Sequence, residues 1–511
     1  MYSFKKISFK ALISKRYAGL FFFFQAFLSG IFSNAYAQKS TEEKIKYYFS
    51  PLYSDSLLLF QDSSGDRGED WRYQNIYNLR YGGLDAGLKY KKTETGMYIT
   101  FRHRITSRYT YDRKKYDDYL NRGIAFFYIK NPEYSLDAGR LFHRTDREGF
   151  LFSGETDGIR GSLTPSILSG FRFSSVFLDL SREETLRSKK KGSDSVFTAA
   201  SAEYENQIFH AGITGGYYRV FGRPNIPDYR FGTDPEAVLP TGQPGIYDTG
   251  IHYYMLNTSL EAKRVSASFT GIYLSGYQSD RAFWSATDLF LSREIKGWMG
   301  YTSLLYRMKL HQFSDDCSGF HPALCAIPVI DDGPVLEISG ILTSRDKNSR
   351  DNNWTGFGSI RPAVSVMGGP ASILLNGSFS TFTPFKHDQP GTLFYTGPID
   401  EKEFRDNSDP SIPDYSSRME MASVRAGFVL HKFSINMFAS RALWGEVSGK
   451  EGVLLLSRKI NTGKIDLSFF IGGAVADVIY VNKNPGIWIE HLEFETRKNY
   501  IRYVCGLFFQ I

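Results

Sequence analysis

The sequence predicts an all-β protein, a transmembrane antiparallel β-barrel of about 18 strands within a range of roughly 16–20. Three observations point there. The first forty residues have the layout of an export signal. Aromatic residues make up 16% of the chain, with 42 Phe and 33 Tyr. Segment after segment alternates apolar with polar residues at a period of two, which sends successive side chains to opposite faces of a strand. Beyond the export signal, no apolar run reaches the ~18 residues that a membrane-spanning helix needs.

At the N-terminus, Lys5, Lys6, Lys10, Lys15 and Arg16 precede the apolar run AGLFFFFQAFLSGIF, and Ala35-Tyr36-Ala37 supplies a small-x-small cleavage pattern. That combination predicts a secretory signal over residues 1–37. The signal holds five bases and no acid. The 61 Lys+Arg and 54 Asp+Glu of the whole chain therefore become 56 against 54 once it is removed, a net of about +2. The basic balance belongs to targeting and gives no ground for a nucleic-acid partner. Residues 38–71 do not alternate and end in a polar, Gly-containing run, so they are expected to form a periplasmic or lumen-entering extension. The barrel is expected over 72–511.

Along that span, GMYITFRHR sets Met97, Ile99 and Phe101 against Tyr98, Thr100, Arg102 and Arg104. LEISGILTSR, MEMASVRAGFVL and IDLSFFIG alternate in the same way. In a membrane barrel the apolar parity faces lipid and the polar parity faces the lumen. Short turns are expected at 93–95, 131–133, 164–166, 368–370 and 461–463. Longer polar segments are expected at 143–156, 181–194, 222–249, 313–333, 383–417 and 476–497. Strands of about 10–14 residues fit between them. The parity does not close around 313–355.

A charged side chain facing mid-membrane lipid costs about 2–4 kcal/mol, so strand bases should point inward. The pore-lining candidates are Arg102, Arg104, Arg140, Arg160, Arg172, Arg307, Lys309, Arg425 and Arg502. Fewer acids share their parities, chiefly Glu337 and Asp466, which predicts a basic lumen suited to a small or oligomeric anionic solute, with the loop 143–156 folded in as a constriction. The competing reading is a sealed barrel whose arginines pair with carboxylates and whose long loops serve as adhesin or receptor. Cys317 and Cys325 frame CSGFHPALC in a loop, and export favours a disulfide there over a metal site with His311 or His321. Cys505, on the apolar parity of the last strand, is expected to face lipid. No catalytic motif and no cofactor motif is present, so no enzyme activity, cofactor or metal is expected.

Two stretches carry a resemblance. The end, YIRYVCGLFFQI, resembles the C-terminal signal read by the outer-membrane assembly machinery, with Gly506, Phe509 and Ile511 in its glycine and hydrophobic places. Residues 135–163, with Gly139-Arg140 and Asp157-Gly158-Ile159-Arg160, resemble the strand–loop–strand stretch of porins and alginate-export-type channels. The resemblance implies a bacterial outer-membrane channel whose partners are membrane lipid, the assembly machinery and an unassigned solute.

Overall fold

The computed structural model describes residues 45–66, 69–109, 114–146, 148–180, 194–222, 246–284, 287–308, 333–344, 353–355, 357, 360, 371–372, 419–444, 447–461, 466–483 and 493–510. Residues 1–37, Lys309, Cys317, Cys325 and Ile511 lie outside the described residues, as do the side chains of Arg102, Arg104, Asp466 and Phe509.

The chain runs β1 (Lys46–Asp66), β2 (Glu69–Tyr90), β3 (Thr93–Tyr109), β4 (Lys114–Asn131), β5 (Tyr134–Arg144) and β6 (Ser153–Leu163). It continues through β7 (Phe171–Asp179), β8 (Asp194–Glu205), β9 (Phe209–Gly222), β10 (Ile246–Glu261), β11 (Val265–Trp284) and β12 (Thr287–Arg307). Then come β13 (Val335–Thr343), the two-residue β14 (Asn353–Trp354), β15 (Met419–Leu430), β16 (Phe433–Trp444), β17 (Val447–Asn461), β18 (Asp466–Lys483) and β19 (Glu493–Gln510). Each strand pairs antiparallel with the next, except that β13 passes over β14 to pair with β15. β14 lies parallel beside β12. β1 pairs with both β2 and β19, so eighteen of the nineteen strands among the described residues close into a ring. Every strand of the ring has a neighbour on each side, though β4 meets β5 only over Ala125–Asn131 and β12 meets β13 only over Met299–Arg307; closure of this kind is what hydrocarbon demands.

The outer wall is apolar. Phe127, Ile213, Leu304, Ile338, Leu454, Ile471, Tyr503 and Leu507 are all exposed on it. Near the end where most short turns lie, Tyr47, Phe49, Tyr90, Phe173, Phe209 and Tyr306 are also exposed, in the place of an interfacial aromatic girdle. The parity of the last two strands is as the alternation predicts: Leu467, Phe469 and Ile471 stand on the outer face with Ile501, Tyr503, Cys505 and Leu507, while Ser468, Phe470, Arg502, Val504 and Gly506 point inward.

Several expectations are corrected. The expected extension 38–71 contains β1 and the start of β2, so the barrel begins at Lys46 and not at residue 72. The apolar run Leu57-Leu58-Leu59-Phe60 occupies both parities and hides the period of two. Within the ring, strand lengths run from 9 residues in β7 and β13 to 22 in β2, beyond the expected span. The first turn falls at Lys91-Lys92, where Lys91 takes a positive φ of 54°, and 93–95 already belongs to β3. The connection between β12 and β13 leaves from the short-turn end, since Tyr306 pairs with Val265 beside the 262–264 turn. That placement of a long connection is why the parity around 313–355 would not close.

Inside, the polar-lumen rule fails over part of the wall. Val176, Leu178, Phe197, Ile251, Met255 and Leu274 point inward and are buried. They form one apolar cluster with residues that are not in the wall at all: Phe150, Leu151 and Phe152 from the β5–β6 connection, and Phe357, Ile360 and Ala371 from the segment between β14 and β15. These residues therefore lie inside the barrel, and the wall facing them is apolar because burial of their side chains there is favourable.

Candidate functional site

The lumen narrows at the β5–β6 connection. Asp146 organises it: its carboxylate accepts the backbone N–H of Phe150 at 2.7 Å and of Leu151 at 2.9 Å, and its carbonyl accepts that of Gly149 at 3.1 Å. The resulting hook presents Phe150, 0% exposed, to the Tyr301 ring with centroids 4.9 Å apart. Glu148 accepts a hydrogen bond from Thr270 on β11 at 2.9 Å, which ties the hook to a wall far from its own strands. Burial pushes the Asp146 carboxyl up from its ordinary value, against the backbone N–H groups of Leu151, Phe150 and Gly149 and the charge of Arg144, which pull it down.

The second in-folded segment meets the first, with the Ile360 N–H donating to the Leu151 carbonyl at 3.0 Å. It is anchored at Ser372. Arg502, 0% exposed, donates to the Ser372 carbonyl at 2.8 Å, and the Ser372 hydroxyl donates to Glu451 at 2.5 Å. Arg502 therefore points inward, as its parity requires, yet it braces an in-folded segment and offers no free face to a passing solute.

The other candidate bases divide. Arg160 donates through Nε and Nη2 to Asp137 Oδ2, at 3.1 and 2.6 Å. Arg425 donates to Glu337 at 3.1 Å and to Asn436 at 2.9 Å. Arg172 faces Glu203 across β7 and β8. Arg307 stands on the inward parity of β12 with Tyr301 and Ser303. Arg140 shares its parity with Ala138 and Phe142, opposite to the inward Asp137 and Leu141, and lies 3.9 Å from Glu155. Gly139 beside it takes φ +135°, and a Cβ there would stand 2.4 Å from the Ala125 carbonyl, so only glycine fits.

What the sequence does not show is how hydroxyls line up. Ser259, Ser268, Ser303, Ser339, Ser423 and Ser440 are direct register partners across β10 to β16, all on the inward face, and the row ends at Glu451 on β17. A second row joins Ser135, Ser162, Ser174, Ser201 and Thr214 across β5 to β9. Neighbouring hydroxyls bond at 2.7 Å (Ser135 and Ser162), 2.5 Å (Ser174 and Ser201) and 2.9 Å (Ser423 and Ser440). Each serine lay in plain view on an inward parity. Their alignment needed the register, which single strands do not carry.

A closed ring of eighteen antiparallel strands with an apolar outer wall decides the class. The molecule is a membrane-spanning β-barrel of the bacterial outer-membrane type. No protein-family model matches the sequence of this barrel, and no curated protein matches it. Among solved structures it is similar to the outer membrane protein OprD from Pseudomonas aeruginosa, at a TM-score of 0.43 and 10% identity, covering 90% of this chain and 94% of that one. It is similar also to OccK2 (OpdF) from the same organism, solved in complex with glucuronate, at 0.42 and 11% over 90% and 98% of the two chains. A third, OpdK from that organism, solved with vanillate, matches at 0.42 and 10% over 90% and 99%. The fold of this barrel rests on its own strand pairing.

Proposed function

We propose that the barrel is a porin-like channel that lets a small, hydroxyl-bearing solute diffuse across the outer membrane. The row of Ser135, Ser162, Ser174, Ser201 and Thr214, half-buried on the lumen wall, carries this reading, while Ser259, Ser339, Ser423 and Ser440 of the other row are buried. A serine or threonine hydroxyl both donates and accepts, so a row of them exchanges hydrogen bonds with a polyhydroxylated solute or with its water at little net cost. The hook at Asp146 and the segment at Ser372 narrow the passage and limit solute size. The arginine-based anion preference expected from the sequence meets a partial balance of charge: Asp137 and Glu337 pair with Arg160 and Arg425, and Arg502 is held by the Ser372 carbonyl. We therefore favour weak charge selectivity, with an anionic solute as the finer alternative carried by Arg172 and Arg307.

A sealed barrel that displays its loops is the second reading, favoured by the apolar cluster that fills part of the lumen. Planar-bilayer recordings under a salt gradient separate these readings. The channel proposal expects small conductance steps, a reversal potential near zero and liposome swelling with a neutral sugar. Anion preference that weakens in Arg172→Glu/Arg307→Glu supports the anionic alternative. A correctly folded barrel with no conductance and no swelling ends the channel reading.

A further inference from the structure

We propose that the outer wall of the β16–β17 hairpin binds the phosphate groups of a phosphorylated glycolipid of the outer leaflet, through Arg441 and Lys450. The two residues are direct register partners. Both stand on the outward parity and are exposed. Like charges placed directly opposite each other across two strands repel. Neither makes a hydrogen bond, ion pair or ring contact among the described residues. Glu420 on β15 and Asp477 on β18 share this face, Asp477 directly opposite Lys450 on its other side, and both acids have interactions of their own.

Their height fits the same reading. Arg441 lies three residues before the end of β16 and Lys450 three residues after the start of β17. Below them the outer face is apolar, through Met437 and Ile435 on β16 and Leu454 and Leu456 on β17. The next outward base, Arg458, lies with its guanidinium carbon 5.1 Å from the centroid of the Phe433 ring at the opposite rim. Lys450 and Arg458 are eight residues apart, which at a strand tilt of about 40° is roughly 20 Å along the membrane normal. That separation nearly spans the ~25 Å apolar band of an outer-membrane barrel, so Arg441 and Lys450 stand at the level of lipid head groups. A phosphate seated between them would turn mutual repulsion into two charge-assisted contacts.

The proposal is independent of what passes through the lumen. Full-length barrel in detergent is mixed with bisphosphorylated lipid A, and bound lipid is read by native mass spectrometry. Wild type should retain the lipid, and Arg441→Glu/Lys450→Glu should lose at least tenfold in affinity. Arg441→Lys/Lys450→Arg should retain it, and dephosphorylated lipid A should not bind wild type. Heat-modifiable gel migration and conductance equal to wild type establish that the Glu variant is folded. Equal binding by the folded Glu variant, equal binding of dephosphorylated lipid A, or complete displacement by millimolar inorganic phosphate would overturn the proposal.

Discussion

Arg502 lies fully buried in a barrel wall because the segment carrying Ser372 is folded over it. Its inward direction was legible in YIRYVCGLFFQI, since the alternation there is unbroken. Its partner was not, because Ser372 is 130 residues away in sequence. The same limit holds at Arg160 and Arg425: parity put them inside, and only the neighbouring strands revealed Asp137 and Glu337 beside them. At Arg140 the alternation is no guide, because Gly139 beside it takes a positive φ and Arg140 is buried near Glu155. Replacing Arg502 with Met should remove the charged donor to the Ser372 carbonyl and leave that buried oxygen without it. The expected cost is on the order of 2–3 kcal/mol, seen as a lower melting temperature in detergent. The same variant should show larger or noisier conductance steps, because the in-folded segment loses an anchor; wild-type melting and conductance would argue against this role.

Among the elements, the hook between β5 and β6 has a fold tied to the protonation of one buried carboxyl. The Asp146 carboxyl is raised above its unfolded value, chiefly by burial. A proton therefore binds the folded hook more tightly than the unfolded chain. The stabilisation this gives is fully present below the unfolded carboxylate range and is lost as pH rises through the raised value. Acidification should hold the hook more firmly in the lumen. Single-channel conductance should fall between neutral pH and about pH 4, and Asp146→Asn, which cannot titrate, should flatten that dependence. An unchanged pH profile in the variant would mean that another group is responsible. That the loop 143–156 turns inward could be anticipated from the flanking Gly139-Arg140 and Asp157-Gly158. β1 could not, because its Leu57-Leu58-Leu59-Phe60 run is apolar on both parities.

At the scale of the whole molecule, closure is a single seam: β1 pairs with β19 from Ser54 opposite Gln510 to Gly65 opposite Asn499. Export, rhythm and a strand-like end made the barrel and its strand number legible. The filled lumen was not, because an inward apolar residue and a lipid-facing one look alike in a single sequence. A closed ring of hydrogen-bonded strands resists detergent until heated. The unboiled protein should therefore migrate faster than the boiled protein in SDS gels. Shortening the chain before Asn499 should abolish that difference, since the β1–β19 seam would be lost. Identical migration with and without boiling would contradict a closed ring.

The row of hydroxyls on β5 to β9 also sets a geometry for transport. It begins at Ser135, one residue after the start of β5, and finishes at Thr214, five residues after the start of β9. Four inter-strand steps of about 4.8 Å make a path of roughly 19 Å, inclined by the strand tilt of about 40°. A solute handed from one hydroxyl to the next would rise about 12 Å while sweeping roughly an eighth of the circumference. Its passage would follow a screw thread cut in the wall, so a rigid or branched solute would have to rotate as it advanced.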